Sequence, residues 1–370
     1  MSLHPLCRQA AAPAHPARPA HPALLAGALE RMPKWAICMP IVVQWLWLSL
    51  RFGGAAVPCA ANPGITAGGM VGEGKLEYFE HMGPLARAAT APWVGVRNAA
   101  GLDEAALLAA MAGATLSFPL VAKPDLGLCG HGVRKVDNID QLRAYAAAFP
   151  LDETMVLQRY LEHDGEAGIF YARDPDTGMG RLIGLALREY PRVIGDGRSS
   201  IGELMRNDAR LGRLLASAKH SSSVDHARVP AAGEAVRLAT IGSTRVGGLY
   251  LNGESLITPA LTAAIDAIAR DMGEFHFGRF DVRFGTEEAL RQGMDFCIME
   301  VNGAGAEAIE AWDPATGLFA GLAQVFAKQR LLFEIGAANL RRGAARTSLL
   351  TLMRLNWRQN RLLDAYPPSN

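Results

Sequence analysis

The chain has 370 residues, half of them hydrophobic, enough to bury a full core in one large domain or two moderate ones, which excludes disorder throughout. Lys and Arg number 37 against 36 Asp and Glu, so the chain as a whole has no polyanion-binding signature and gives no reason to invoke nucleic acid; any anion site must be local. The five cysteines (Cys7, Cys38, Cys59, Cys129, Cys297) are odd in number, widely spaced and without a C-x-x-C pair, which argues against a disulfide framework and for a reducing cytoplasm.

Residues 1–33 read as a disordered tail, because Ala, Pro and His dominate from Ala10 to Ala28 without periodicity. Residues 34–74 read as a truncated N-terminal lobe. Its segment from Trp35 to Phe52 is the most apolar in the chain and contains Pro40 and Gln44. One reading makes it a buried strand and helix; the other lays it on a membrane surface, since Trp45 and Trp47 suit the interface and the C-terminal region is basic.

A Gly-rich turn from Asn62 to Gly74 leads into a helix from Lys75 to about Ala89, then a strand at Val94 to Val96. Asp103 is placed to cap a helix reaching Ala112. The apolar strand Phe118 to Lys123 runs into the glycine loop PDLGLCGHG, and Val133 to Val136 follows as a second strand, so the three form a hairpin. Asp140 to Ala148 has helical spacing. Met155 to Tyr160, Gly168 to Ala172 and Arg181 to Glu189 read as strands of an antiparallel sheet, and a helix starts at Ile201. Leu261 to Met272 is an amphipathic helix, followed by strands Phe277 to Phe284 and Asp295 to Val301. Residues 314–370 read as a helical, basic extension. Strands flanked by helices give an α+β class.

Binding ATP requires ammonium groups and backbone N–H donors for phosphate, hard oxygens for a metal, and an apolar slot for adenine. Lys123 ends its strand directly before Gly127, Gly130 and Gly132, where missing side chains let backbone approach phosphate; a plain hairpin turn explains the same glycines. In GRFDVRF, period two sets Arg279, Asp281 and Arg283 on one face, and in IMEVNG it aligns Glu300 with Asn302. Two neighbouring strands then present an oxygen-only set suited to Mg2+. A salt-bridged sheet face is the rival account.

VAKP with its glycine loop, LQRYLEHDGE, GRFDVRF and MEVNG together resemble the ATP-grasp superfamily, whose members form an acylphosphate and join it to an amine. LREYPRVIGDGRSSIGEL and GEAVRLATIGSTRVGG are most similar to the ATP-grasp region of cyanophycin synthetase and of bifunctional glutathione synthetase. The resemblance spans about residues 75–313 and implies nucleotide held between two α+β lobes. It makes Lys75 and Lys123 the nucleotide-binding lysines, Gln158, Arg159, Tyr160 and Leu161 the adenine hinge, and Glu166 the ribose acid. It makes Asp281, Glu300 and Asn302 the ligands of Mg2+, two ions in the family's manner, or of Mn2+. Arg279 is implied beside the transferring phosphate and Arg188 on its other side.

The implied activity is an ATP-dependent ligation of a carboxylate to an amine, in the cytoplasm or at a membrane surface, with oligomeric state open, a homodimer included. Two alternatives stand beside it: a kinase-like phosphotransferase, and a non-catalytic ATP-binding regulator at a membrane. After Asn302 the chain reads GAGAEAIEAWDP in place of a proline-containing turn, so the acceptor pocket near Glu307 and Glu310 is of another kind, its two acids either receiving an amine or simply solvated. D-alanine-joining ligases carry a longer first lobe than this chain offers, which disfavours that substrate.

Overall fold

Two antiparallel sheets carry the residues singled out above. The computed structural model describes residues 27–163, 165–208, 210–212, 224–239, 242 and 247–369. Most of the expected tail lies outside them, as does most of GSTRVGG; within the described part, Ala28–Arg31 is a short helix with Leu29 buried.

The first sheet has the order β1-β4-β2-β3, formed by β1 (Trp93–Arg97), β2 (Leu120–Pro124), β3 (Arg134–Val136) and β4 (Thr154–Arg159). The hairpin of β2 and β3 around the glycine loop is present, Ala122 pairing with Arg134. Helices Glu104–Gly113 and Ile139–Ala148 cover this sheet, capped by Asp103 and Asn138 side chains. Their apolar faces meet Leu120, Ala122, Met155 and Leu157 in a core that Leu362 and Tyr366 close from the C-terminal side.

The second sheet has the order β11-β10-β5-β6-β9, formed by β5 (Gly165–Arg173), β6 (Gly180–Glu189), β9 (Leu249–Asn252), β10 (Phe277–Phe284) and β11 (Phe296–Asn302). A separate ribbon pairs β7 (Arg192–Ile194) with β8 (Ala235–Arg237). One face of the large sheet packs Phe280, Val282 and Phe284 against Leu261, Ile265 and Ile268 of the helix Pro259–Asp271. Burying each such side chain contributes about 1.5–3 kcal/mol. The opposite face of β10 is polar yet every residue of the strand is buried, since Arg188 and Asn302 close over Asp281, the Glu307 carbonyl over Arg279 and the His163 carbonyl over Arg283.

Three expectations change. The stretch from Lys75 to Ala89 is two helices, Lys75–Glu80 and Pro84–Ala88, because Pro84 starts a new first turn whose Ala86 N–H donates to Asp271. Met155 to Tyr160, expected in one sheet with Gly168 to Ala172 and Arg181 to Glu189, is β4 of the first sheet, while those two are β5 and β6 of the second; the C-terminal extension is helical as expected, in the helices Leu318–Arg341 and Leu349–Ala365. The segment from Trp35 to Phe52 is neither strand nor core: Lys34–Phe52 is one helix with Pro40 inside it, and 11% of its most apolar window is buried. Only a narrow stripe reaches the helix Leu318–Arg341, through Leu48, a Trp45 to Phe333 ring contact at 4.9 Å and a Gln44 amide donated to the Phe326 carbonyl. Trp45 therefore turns inward, whereas Trp35, Val43, Leu46, Trp47 and Leu50 are exposed.

Candidate active site

Lys75 and Lys123 meet because Asp125, just past β2, acts as a remote cap on the helix Lys75–Glu80: its Oδ1 accepts the Leu76 N–H at 2.8 Å and its backbone carbonyl accepts the Lys75 N–H at 3.2 Å. Gly74 is required there, since a Cβ would stand 2.5 Å from Asp125 Oδ2. Lys75 Nζ then lies 3.3 Å from Glu300 Oε1. Gly127 borders this lysine, a Cβ on it coming within 3.3 Å of Nζ.

Lys123 crosses from the first sheet to the second. Its Nζ donates to Gln158 Oε1 at 2.7 Å and to the Met299 carbonyl at 3.0 Å. That carbonyl is available because β10 and β11 slip in register: Asp281 faces Glu300 while Val282 faces Ile298, leaving Met299 as the extra residue of a bulge. Burial pushes the Lys123 ammonium down to about 8, against the pull of Glu300.

The hinge residues divide. Leu161 is buried with Ala91 and Cys297, Met299 packing beside them, an apolar cluster next to the Met299 carbonyl that holds Lys123. Gln158 does not offer a free carbonyl to a ligand: its oxygen holds Lys123, and its amide donates to the Ala91 carbonyl at 3.2 Å. Arg159 continues β4, paired with Leu120, and Tyr160 carries the Lys135 ammonium 4.9 Å from its ring centroid.

On the large sheet the register brings the acidic and basic residues together. Asp281 faces Glu300 on one side and Gly168 on the other, Arg279 faces Asn302 and Phe170, and Arg283 faces Glu166. Gly168 keeps the surface low, since a Cβ would meet Arg279 Cδ at 2.9 Å and Asp281 Oδ1 at 3.2 Å. Asp281, 2% exposed, accepts from Arg279 Nε at 2.6 Å, Arg188 Nη2 at 2.9 Å and Asn302 Nδ2 at 3.1 Å. Burial raises its pKa, Arg188 and Arg279 oppose this more strongly, and the carboxyl ends below its usual range.

Glu166 sits in the same network. Arg188 Nη1 donates to its Oε1 at 3.0 Å, the Tyr190 hydroxyl donates to Oε2, and Arg283 Nε lies 3.4 Å from Oε2. Burial again raises it and the Arg283 and Arg188 charges bring it below the ordinary value. The structure thus places Glu166 among three cationic or hydroxyl donors.

Glu300 differs from both. Its side chain is 32% exposed, and among the described residues its one ion pair is to Lys75. Among the described residues no three His, Cys, Asp or Glu side chains converge on a metal position. The candidate set is two carboxylates and a carboxamide, hard oxygens of the type Mg2+ takes, with Asp281 engaged by arginines.

Several participants were not singled out from sequence. Tyr190 lies within LREYPRVIGDGRSSIGEL and Asp125 within PDLGLCGHG, but neither run assigns them a role. Glu73 sits beside Lys75 and Glu300, and burial raises its carboxyl to about 7. Glu307 and Glu310, taken as a pair, separate: Glu307 is exposed and gives its backbone carbonyl to Arg279 Nη1 at 3.1 Å, whereas Glu310 is buried and paired with Lys328.

No protein-family model matches the chain, and no curated protein matches it in sequence. Solved structures do. The chain is similar to a bifunctional glutathione synthetase from Pasteurella multocida at 18% identity and a TM-score of 0.37, over 69% of this chain and 35% of that one. It is similar to a D-alanine–D-alanine ligase from Bacillus anthracis at 16% identity and a TM-score of 0.39, over 72% and 67%. A third is purK, N5-carboxyaminoimidazole ribonucleotide synthetase, solved as an ADP complex, at 13% identity and a TM-score of 0.35, over 67% and 48%. The chain spans 35% of the glutathione synthetase's length.

Proposed function

We infer that the chain is an ATP- and Mg2+-dependent ligase that joins a carboxylate to an amine through an acylphosphate. The observation that carries this reading is the convergence in one cleft of two lysines, two arginines and the Asp281–Glu300 pair, drawn from both sheets. Lys75 and Lys123 hold phosphate oxygens, and adenine packs on the apolar cluster at Leu161. Glu300, Asn302 and Asp281 would hold Mg2+, which would neutralise charge on the transferring phosphoryl group.

Arg188 has a double role in this reading. Without nucleotide it neutralises Asp281; with phosphate present it turns to the phosphate and leaves an Asp281 oxygen for the cation. A substrate carboxylate oxygen bonds to the γ-phosphorus as the bond to the bridging oxygen breaks and ADP leaves. The amine nitrogen then bonds to the acyl carbon, inorganic phosphate departs, and the amine proton passes to solvent. Arg279, fixed by Asp281 and the Glu307 carbonyl, stabilises charge on the acylphosphate and the tetrahedral intermediate.

The test is ADP release from full-length protein offered metabolite pools, with mass spectrometry of the product. Release only when carboxylate and amine are both present, with an amide product, supports ligation. Full turnover in Asp281→Ala or Glu300→Ala would sink it, and a phosphorylated product without an amide would shift the reading to a phosphotransferase.

The outer row of the helix Lys34–Phe52 favours a second reading, contact with a membrane surface, since Trp35, Leu46, Trp47 and Leu50 are exposed between Lys34 and Arg51. Flotation with anionic vesicles checks it; equal flotation of wild type and Trp47→Ser/Leu50→Ser removes it.

A further inference from the structure

The helix Leu349–Ala365, whose first turn is capped by Ser348 accepting the Thr351 N–H at 3.1 Å, has two unlike sides. Leu355, Gln359 and Leu362 recur at helical spacing and turn inward. Leu355 fits where Gly72 has no side chain, a Cβ there meeting Leu355 Cβ at 2.8 Å; the Gly72 N–H donates to Gln359 Oε1 at 3.1 Å, and Leu362 closes the core of the first sheet. Leu349, Leu350, Met353 and Trp357 fall about half a turn away from that row. Each is at least 60% exposed. With the inward row engaged, rotating the helix cannot bury the outer one, and large apolar side chains grouped on one exposed face mark a contact surface.

The surroundings of this row carry one sign of charge. From Ile335 to Leu363 the chain has six arginines and no Asp or Glu. Arg341 and Arg358 pair with Asp176 and Glu153. Arg342, Arg346, Arg354 and Arg361 are exposed and have no acidic partner among the described residues, and the Arg361 guanidinium lies 5.3 Å from the Trp357 ring centroid. These charges discriminate among occupants. A second copy would bring a second set of arginines to the same interface, where the segment itself supplies no acid. The outward side of a helix is convex, which a plane of lipid headgroups accepts without a matching groove. Trp and Leu edged by Arg is also the composition of an interfacial helix, with rings and stems at headgroup level and guanidinium groups on phosphate.

We propose that the helix Leu349–Ala365 docks by its outer row on an anionic lipid surface. Leu349, Leu350, Met353 and Trp357 enter the boundary between headgroups and acyl chains, and Arg346, Arg354 and Arg361 meet lipid phosphates. This goes beyond contact through the helix Lys34–Phe52, because it adds a second surface and gives the preference for negative lipid to the arginine-rich end. It is independent of the ligase reading.

Full-length protein is sedimented with vesicles of phosphatidylcholine alone and of equimolar phosphatidylcholine and phosphatidylserine. Partition onto the mixed vesicles is about tenfold stronger and falls as salt rises. Arg354→Gln/Arg361→Gln loses about thirtyfold, at roughly 1 kcal/mol for each arginine near an anionic surface. Met353→Ser/Trp357→Ser loses about tenfold. All four side chains are exposed, so the fold survives in both variants. Arg198→Gln/Arg228→Gln removes the same charge from exposed positions flanking the β7–β8 ribbon and binds as wild type. Equal partition onto both vesicle types, wild-type partition of both helix variants, or an equal loss in Arg198→Gln/Arg228→Gln overturns the proposal. Loss in Trp47→Ser/Leu50→Ser with neither helix variant affected assigns attachment to the helix Lys34–Phe52 alone and overturns it too. A lipid-free dimer, seen by sedimentation velocity and dissolved by Met353→Ser/Trp357→Ser, would give the row to a second copy instead.

Discussion

Arg188 holds two buried carboxylates at once, Nη1 on Glu166 at 3.0 Å and Nη2 on Asp281 at 2.9 Å, reaching from β6 across β5 to β10. Removing it takes a charge partner from both, leaving Asp281 to Arg279 and Asn302 and Glu166 to Tyr190 and Arg283. Arg188→Met should lower stability by about 3–5 kcal/mol, the scale for breaking a buried pair from one side, measured by urea unfolding. The sign with pH follows from the depressed values of Glu166 and Asp281. Their stabilisation is present above the unfolded carboxylate pKa and lost as pH falls through the folded values. Without Arg188 both folded values rise, so acid unfolding should begin at higher pH than in wild type. An unchanged acid midpoint would contradict this.

Glu300 and Asp281 face each other across β10 and β11 but should separate in their response to neutralisation. Glu300 is partly exposed with one ion pair, so Glu300→Gln should change stability by no more than about 1 kcal/mol. Its ATP-dependent turnover should fall roughly a hundredfold, the scale of losing one fixed contact to developing charge. Asp281→Asn should lose both, because it removes the negative charge and one of the two acceptor oxygens that Arg279 and Arg188 share. Paired unfolding and ADP-release assays give the comparison.

The sequence carried what depends on local pattern. Alternation in β10 and β11 was legible and set Asp281 beside Glu300; the capping residue Asp103 and the β2–β3 hairpin were legible too, whereas the Asn138 cap was not singled out. Contacts closed by distant segments were not legible. Nothing near Lys328 in sequence points to Glu310 or Phe170, and the bulge at Met299 that turns a carbonyl to Lys123 has no sequence signature. The helix Lys34–Phe52 misled for a related reason: apolar composition records that burial is favourable, not which partner supplies it.

His276 offers a pH effect away from the cleft. Burial and the neighbouring Arg173 charge lower its pKa from 6.5 to about 4. The unfolded chain then binds the proton more readily between these values, so this contribution is full above about pH 6.5 and is lost as pH falls toward 4. Thermal unfolding of His276→Phe against wild type isolates it, since other titrating groups are common to both. The gap between the two melting temperatures should narrow or reverse in favour of the variant on acidification; a gap independent of pH would show that His276 does not change its protonation on folding.

The glycine loop is tied down from the far end of the chain. Tyr366 donates its hydroxyl to the Leu126 carbonyl at 2.6 Å, and Ser369 Oγ donates to the Gly130 carbonyl at 2.7 Å. Tyr366 also stacks on Phe149 at 5.3 Å between centroids, so Tyr366→Phe removes the hydrogen bond and keeps the packing. The cost should be about 1 kcal/mol globally, with amide exchange rising locally over residues 126–132. Gly132→Ala should act on the same loop more severely: its φ is +71°, and the added Cβ would stand 2.7 Å from Pro124 Cγ and 3.1 Å from Tyr366 Cβ. A loop that cradles phosphate must be ordered before binding or be ordered by it. Tyr366→Phe should therefore weaken nucleotide binding by a few-fold, about the ordering free energy released to the free protein. Faster loop exchange with unchanged nucleotide affinity would separate the loop from phosphate binding and leave its glycines as the turn of a hairpin.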